Sequence, residues 1–353
     1  MNKFKEFLAK KDIEVSLKRY GIDALSAMAQ GLFCSLLIGT ILNTAGQQFG
    51  VELFCTLGGF ASKMAGPAMA IAIGYALKCP PLVLFSLAAV GGAANELGGA
   101  GGPLAVLVIA IVAAELGKMV SKETKIDILV TPLVTIFAGA GLSMLIAPPI
   151  GKAASAVGTL IMMTTELKPF MMGILVSVLV GMALTLPISS AAICSVLGLT
   201  GLAGGAAVAG CCAQMIGFAV ASFPENKWGG LISQGLGTSM LQMGNIVKNP
   251  RIWIAPTLAS AITFPIATCI FKMEMNGAPV SSGMGTCGLV GPLGVYSGWV
   301  NDVTQGLKAG ITGFDWLGMI LICFVLPAVL TVIFNMIFTK IGWVKKGDMK
   351  LSN

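Results

Sequence analysis

The polar side chains able to do chemistry stand in four short clusters, each set between apolar stretches. Asn95 and Glu96 open the string NELGGAGG at 95–102, and Thr164, Thr165, Glu166 and Lys168 lie in TTELKP at 164–169. Ser189 and Ser190 follow Pro187, and Asn276, Ser281, Ser282 and Thr286 sit among glycines at 277, 283, 285, 288 and 291. Carboxylates, amides and hydroxyls of this kind bond to the hydroxyls of a small polar solute, or pair with a cation or proton. The chain has no histidine, which removes imidazole acid–base catalysis, histidine-ligated metals and a phosphohistidine carrier. Its nine cysteines include no C-x-x-C pair, so they fit neither a zinc site nor a disulfide framework and read as small hydrophobes. The 276–294 string lacks the lysine of a phosphate loop. No catalytic set, metal or cofactor is expected.

The elements that must hold these clusters are apolar helices. Of 353 residues, 56% are hydrophobic and 10% charged, against about 25% charged in a soluble domain; mean hydropathy is +0.90. No single core buries that much apolar surface, so the bilayer is the expected solvent. A helical span needs roughly 20 apolar residues, and 22–44, 126–150, 170–186, 252–271 and 314–339 are the clearest. The stretch 53–77 is interrupted by Lys63 and Pro67, 202–221 is rich in small residues, and 229–247 is apolar but carries Gln234, Gln242 and Asn245.

The charge of +7 is not a nucleic-acid signal. Ten of the 22 basic residues lie at the two ends, from Lys3 to Arg19 and from Lys340 to Lys350. Lys and Arg beside spans favour the cytoplasmic side, so both termini read as cytoplasmic, and Lys118, Lys122 and Lys125 mark another inner loop. The first 20 residues are too charged for a signal peptide; they read as an amphipathic interfacial helix or as a solvated basic tail. The expectation is an all-α integral membrane protein. It forms one domain over 1–353: a polytopic bundle of about 8–10 spans with broken or re-entrant helices, a cytoplasmic segment at 1–20 and a cytoplasmic tail at 340–353.

The arms around NELGGAGG, 81–94 and 103–117, have 14 and 15 residues, or about 22 Å of helix against a hydrocarbon layer of about 30 Å. They form two short spans or a hairpin that stops partway. A backbone break at depth survives only inside protein or beside water, and a carboxylate there costs at least about 2–3 kcal/mol. Asn95 and Glu96 therefore read as substrate contacts; the alternative is a wet turn at the outer surface. Thr165 and Glu166, just before Pro169, read as a second contact or as an interfacial loop. Ser189 and Ser190 suit a helix start that binds a hydroxyl or simply caps the helix. Asn276 marks the fourth cluster, while Gln214, Gln242 and Asn245 are weaker candidates. Glu115 and Lys118 are expected to pair at the surface. A faint echo relates Pro80-Pro81 and Glu96-Leu97 to Pro148-Pro149 and Glu166-Leu167, in the manner of weak transporter repeats.

The segments GIDALSAMAQGLFCSLLIGTIL, NELGGAGGPLAVL, TELKPFMMGILVSVLVGMALTLPISSAAI and LVGPLG resemble the type-2 EIIC-like membrane family of the phosphotransferase system, which includes perfringolysin O regulator-like proteins. The resemblance covers nearly the whole chain. It implies a sugar-permease-like (PTS sugar transporter subunit IIC) domain of a bacterial cytoplasmic membrane, with broken helices around a central site and a homodimeric assembly. In characterised sugar EIIC domains a Gly-Ile-Thr-Glu-Pro loop supplies a sugar-binding Glu; here the nearest string is Thr164 to Pro169, and histidine is absent. No EIIA or EIIB domain is recognisable, so phosphorylation depends on separate partner proteins. The expected function is a transporter moving a small polar solute by alternating access. A solute sensor without transport, or an ion- or proton-coupled exchanger, is the alternative.

Overall fold

The computed structural model describes residues 3–165 and 167–351. Its chain divides into two compact units, Met1–Ala153 and Ala154–Asn353. Among the described residues, six helical stretches are long and apolar enough to cross a membrane, with two shorter apolar helices at Ala65–Ala76 and Phe170–Thr185.

In the first unit, α1 (Lys3–Lys10) precedes the long α2 (Arg19–Phe49), and α3 (Glu52–Lys63) meets α4 (Ala65–Ala76) at Met64. Pro81 then opens α5 (Pro81–Gly98), which folds back on α6 (Gly102–Val120). Their turn rests on Gly99, whose φ of 50° and ψ of −121° suit a residue without Cβ. The arms are 18 and 19 residues long, about 27–29 Å at 1.5 Å per residue. This corrects the expected arm lengths of 14 and 15 residues and suits the reading as two short spans: the helix runs on through Asn95 and Glu96 and breaks only at the glycines.

At the other end of this hairpin Lys118 is only 2% exposed. Its ammonium donates to Asp12 O (2.6 Å) and Leu77 O (3.2 Å) and pairs with Glu115 at 3.0 Å. The Glu115–Lys118 pair expected at the surface is thus an internal tie. Arg19 holds Asp12 and Leu77 O, and Lys11 holds Glu123 and Ser121 O. These basic contacts anchor residues 11–20 across the hairpin's open end.

Helix α7 (Asp127–Thr165) is one 39-residue element containing Pro132, Pro148 and Pro149. The prolines do not end it at 150, and the matching Pro81 starts a helix, so the internal echo has no structural counterpart. A proline removes one i→i−4 bond; here the backbone around the pair is held by close packing, because a Cβ on Gly101 would lie 2.7 Å from Ile150 O.

In the second unit, α8 (Pro169–Thr185) is followed by the seven-residue α9 (Ser190–Val196), α10 (Gly201–Ala221), α11 (Phe223–Ile232) and α12 (Met243–Lys248). Helix α13 (Pro250–Ile270) runs antiparallel to α10, and α14 (Val290–Thr304) precedes α15 (Gly313–Lys340). Helix α10 is the hub, 83% buried over its apolar window. Its Gly210 touches α8: a Cβ there would sit 1.9 Å from Ser177 O. The expected span at 229–247 is instead a broken excursion.

Candidate functional site

Two broken excursions in the second unit, built of short helices joined by turns, enter from opposite ends and meet. The first, 222–249, leaves the C-terminal end of α10 and returns to the start of α13. The second, 271–312, leaves the end of α13 and returns to the start of α15. Thr286 of the second donates its hydroxyl to Gly235 O of the first at 2.5 Å, and also faces the Met215 sulfur at 3.7 Å. Gly285 packs against Cys211, the eleventh residue of α10, so the meeting point lies about halfway along that 21-residue helix. Gly285 carries φ +53, and a Cβ there would meet Cys211 at 2.7 Å. Backbone broken at such depth is stable only with protein partners or water.

The partners are present. Ser190 donates to Gly283 O at 2.7 Å and Ser282 to Leu199 O at 2.6 Å. Thr185 and Ser239 share a hydrogen bond of 2.8 Å, joining α8 to the first excursion. Next to them, fully buried Gln214 accepts from the Trp253 indole at 2.9 Å and donates to Thr257 at 3.2 Å. Ser189 caps α9 by accepting from Ala192 N at 3.2 Å.

At the Gly201 end of α10 the chain makes a two-residue antiparallel bridge, Gly201 with Met275, through N–H···O bonds of 3.0 Å each way. The run 272–276 alternates about it in burial. Met273 and Met275 are buried while Lys272 and Glu274 face outward, as strand periodicity requires. Side chains from this run, from α14 and from the loop after it line a cavity of about 280 Å³ formed by Lys272, Glu274, Asn276, Trp299, Asp302, Leu307 and Lys308. The Asn276 amide donates to Glu274 (3.1 Å) and Asp302 (2.9 Å), fixing both carboxylates as acceptors. Lys308 pairs with Asp315 at 2.7 Å and lies 5.8 Å from the Trp299 ring centre. Two cations face two carboxylates and an aromatic surface, an arrangement suited to an uncharged solute bearing hydroxyls.

The family model for Phosphotransferase system, EIIC, matches residues 22–351. The chain belongs to the phosphotransferase-system EIIC family. This EIIC chain is a multi-pass membrane protein of the sugar-permease type. Comparison with curated proteins and with solved structures gives no match.

The candidate residues of this EIIC chain are distributed over both units. Asn276 lines the cavity, and Ser190 holds the second excursion at its tip. Thr165 closes α7 with its hydroxyl on Met162 O, and Glu166 lies outside the described residues. Glu96 is exposed in the last turns of α5, and the Asn95 side chain packs over Gly102 and Gly66. The cavity's Glu274, Asp302 and Trp299 were not legible as a set, although the alternating KMEMN at 272–276 carries the strand signal that would have found Glu274. Among the described residues, no group of three or more His, Cys, Asp or Glu is placed to hold a metal ion.

Proposed function

We propose that this EIIC chain translocates a small, uncharged, polyhydroxylated solute of the sugar class by alternating access, within a bacterial cytoplasmic membrane. The observation that carries this reading is the mid-depth meeting of two oppositely inserted, broken segments, with a polar cavity at the Gly201 end of the same helix. Discontinuous elements that approach from both faces are how transporters build a site between two gates. The end of the second unit bearing Lys248, Arg251, Lys340, Lys345 and Lys346 is the cytoplasmic one by the excess of positive charge. The cavity then opens outward and receives the solute first. Its volume of about 280 Å³ is at the low end of ligand pockets, roughly 300–1,000 Å³, and suits one sugar ring.

In this reading Glu274, Asp302 and Asn276 accept and donate hydrogen bonds to hydroxyls, and Trp299 offers its face to C–H groups. Ser189 and Ser190 act near the tip of the second excursion, and Asn95, Glu96, Thr165 and Glu166 are candidate solute contacts in their own right. Separate EIIB and EIIA proteins supply phosphate on the inner side, and the protein works as a homodimer.

The test is a thermal-shift screen of purified protein against sugars, sugar phosphates and organic anions, followed by uptake into vesicles. A ligand at 100 times its Kd stabilises by about 2.7 kcal/mol. A neutral sugar is expected to raise the midpoint, and Asn276→Ala to weaken binding about tenfold. Stabilisation only by anions refutes the substrate class. Binding without uptake refutes transport and leaves the sensor reading. Uptake unchanged in both Glu96→Gln and Glu166→Gln removes those two acids from the path.

A further inference from the structure

We infer that residues 344–351 are a removable latch that holds the inner excursion, 222–249, closed. The inference rests on the proposed function in one respect: it takes this excursion as the moving gate on the cytoplasmic side.

The inner end of the excursion is a built peptide-binding groove, and the chain's own segment fills it. Glu225, on the descending limb α11, accepts from Gly347 N (2.7 Å) and Met349 N (3.1 Å). Asn226 holds the same segment twice, donating to Met349 O (2.8 Å) and accepting from Leu351 N (2.9 Å). From the returning limb, Gln242, just before α12, donates to Met349 O (2.9 Å), and Asn245 of α12 donates to Lys350 O (2.9 Å). One carbonyl, that of Met349, therefore receives a bond from each limb and ties them together. Val344 and Met349 are each 3% exposed and fix the segment in the groove.

The groove connects directly to the tip. Gln242 also donates to Gln234 Oε1 at 2.8 Å, and Gln234 donates to Ser222 at 2.8 Å, the residue that ends α10. Gln234 and Gln242 are fully buried, so an amide that loses its partner there needs water or a new acceptor. Ser239, three residues from Gln242, makes the bond to Thr185, and Gly235 accepts from Thr286 at the mid-depth contact. Removing 344–351 strips the bonds that join the two limbs at the inner mouth while leaving the tip contacts in place. That is how a latch differs from part of the gate itself. Apart from Asn249, which donates to the Asp348 carboxylate at 2.7 Å, these polar contacts are to main chain. The segment is a turn closed by Asp348 N on Lys345 O (3.1 Å) and Lys350 N on Gly347 O (3.2 Å), so the groove reads that turned backbone and binds the same peptide supplied separately.

The test measures alkylation of Ser239→Cys from the inner side of the full-length protein in vesicles, with the position read by mass spectrometry so that the native cysteines do not interfere. Labelling is expected to be slow in the full chain and roughly tenfold faster once residues 344–353 are removed, because fewer bonds oppose local opening. A synthetic peptide of residues 343–351 restores slow labelling, and a scrambled one does not. If the shortened chain is not monodisperse, the Glu225→Ala/Asn226→Ala pair in the full-length protein decides by the same rate. Equal rates in the intact and released proteins, or a peptide without effect, overturn the latch. The readout uses no sugar, so a failed uptake assay and a failed latch give separate results.

Discussion

Replacing Gln214 by Leu tests whether the mid-depth network holds α10 to its neighbours. The side chain is fully buried and makes two short-range polar contacts, from Trp253 at 2.9 Å and to Thr257 at 3.2 Å; a third, from Thr185, is long at 3.5 Å. Leu has similar bulk, so packing changes little. Thr185 keeps Ser239, and Thr257 keeps Trp253 O at 2.8 Å. The indole N–H alone loses its acceptor. Hydrogen bonds inside membranes average about 0.6 kcal/mol and reach about 1.7, so two of them predict a loss of roughly 1–3 kcal/mol. The assay is SDS-driven unfolding of detergent-solubilised protein, followed by far-UV circular dichroism, for Gln214→Leu, Trp253→Phe and the double variant. A coupling of about 0.6–1.7 kcal/mol is expected between the two sites. Single losses that add within about 0.3–0.5 kcal/mol would refute the bond as a structural tie.

Gly285→Ala is expected to destabilise by about 1–3 kcal/mol, the range for a residue held in a sparsely populated backbone region, since it pairs a φ of +53 with a Cβ 2.7 Å from Cys211. Gly59→Ala, on α3 with nothing within 4 Å, should instead be neutral or stabilise by up to about 1 kcal/mol; the same titration compares them. Acid is expected to release residues 5–18 from the first unit. The Arg19 hydrogen bond holds the Asp12 carboxyl below its ordinary 3.8, and Lys11 holds Glu123 below 4.5. Groups with lowered folded-state pKa contribute stability above the ordinary carboxylate range and lose it as pH falls through the folded values. A spin label at Lys5→Cys should gain mobility below about pH 4 and stay unchanged between about pH 6 and 9; mobility rising on the alkaline side would contradict the pairing.

The apolar spans were readable because nothing local competes with a long hydrophobic run: 314–339 became α15 at Gly313–Lys340, and 202–221 became α10. Pro80-Pro81 was a sound boundary because a proline at the first helical position lacks only an N–H that has no helical partner. The same dipeptide at 148–149 misled, since there the backbone is clamped against Gly98 and Gly101 and packing overrides local preference. Asn95 and Glu96 suggested a turn through their polarity, yet both are tolerated in a last helical turn, and Gly99 makes the break. The excursion at 222–249 was hidden because its amides Gln242 and Asn245 look like ordinary span residues until residues 349–350, more than 100 positions away, supply their acceptors. Lys118 was misjudged for the same reason: its acceptors, Asp12 O and Leu77 O, are distant in sequence.

The two excursions touch through Thr286 and Gly235 near the middle of α10, so in the proposed transport cycle this contact is the barrier between the two sides. Each elementary charge moved across a membrane gains about 2.3 kcal/mol per 100 mV. In that cycle a neutral sugar does no electrical work in either direction. A phosphorylated product, with nearly two negative charges, would be driven outward by a negative interior, and a tight inner closure is what would retain it.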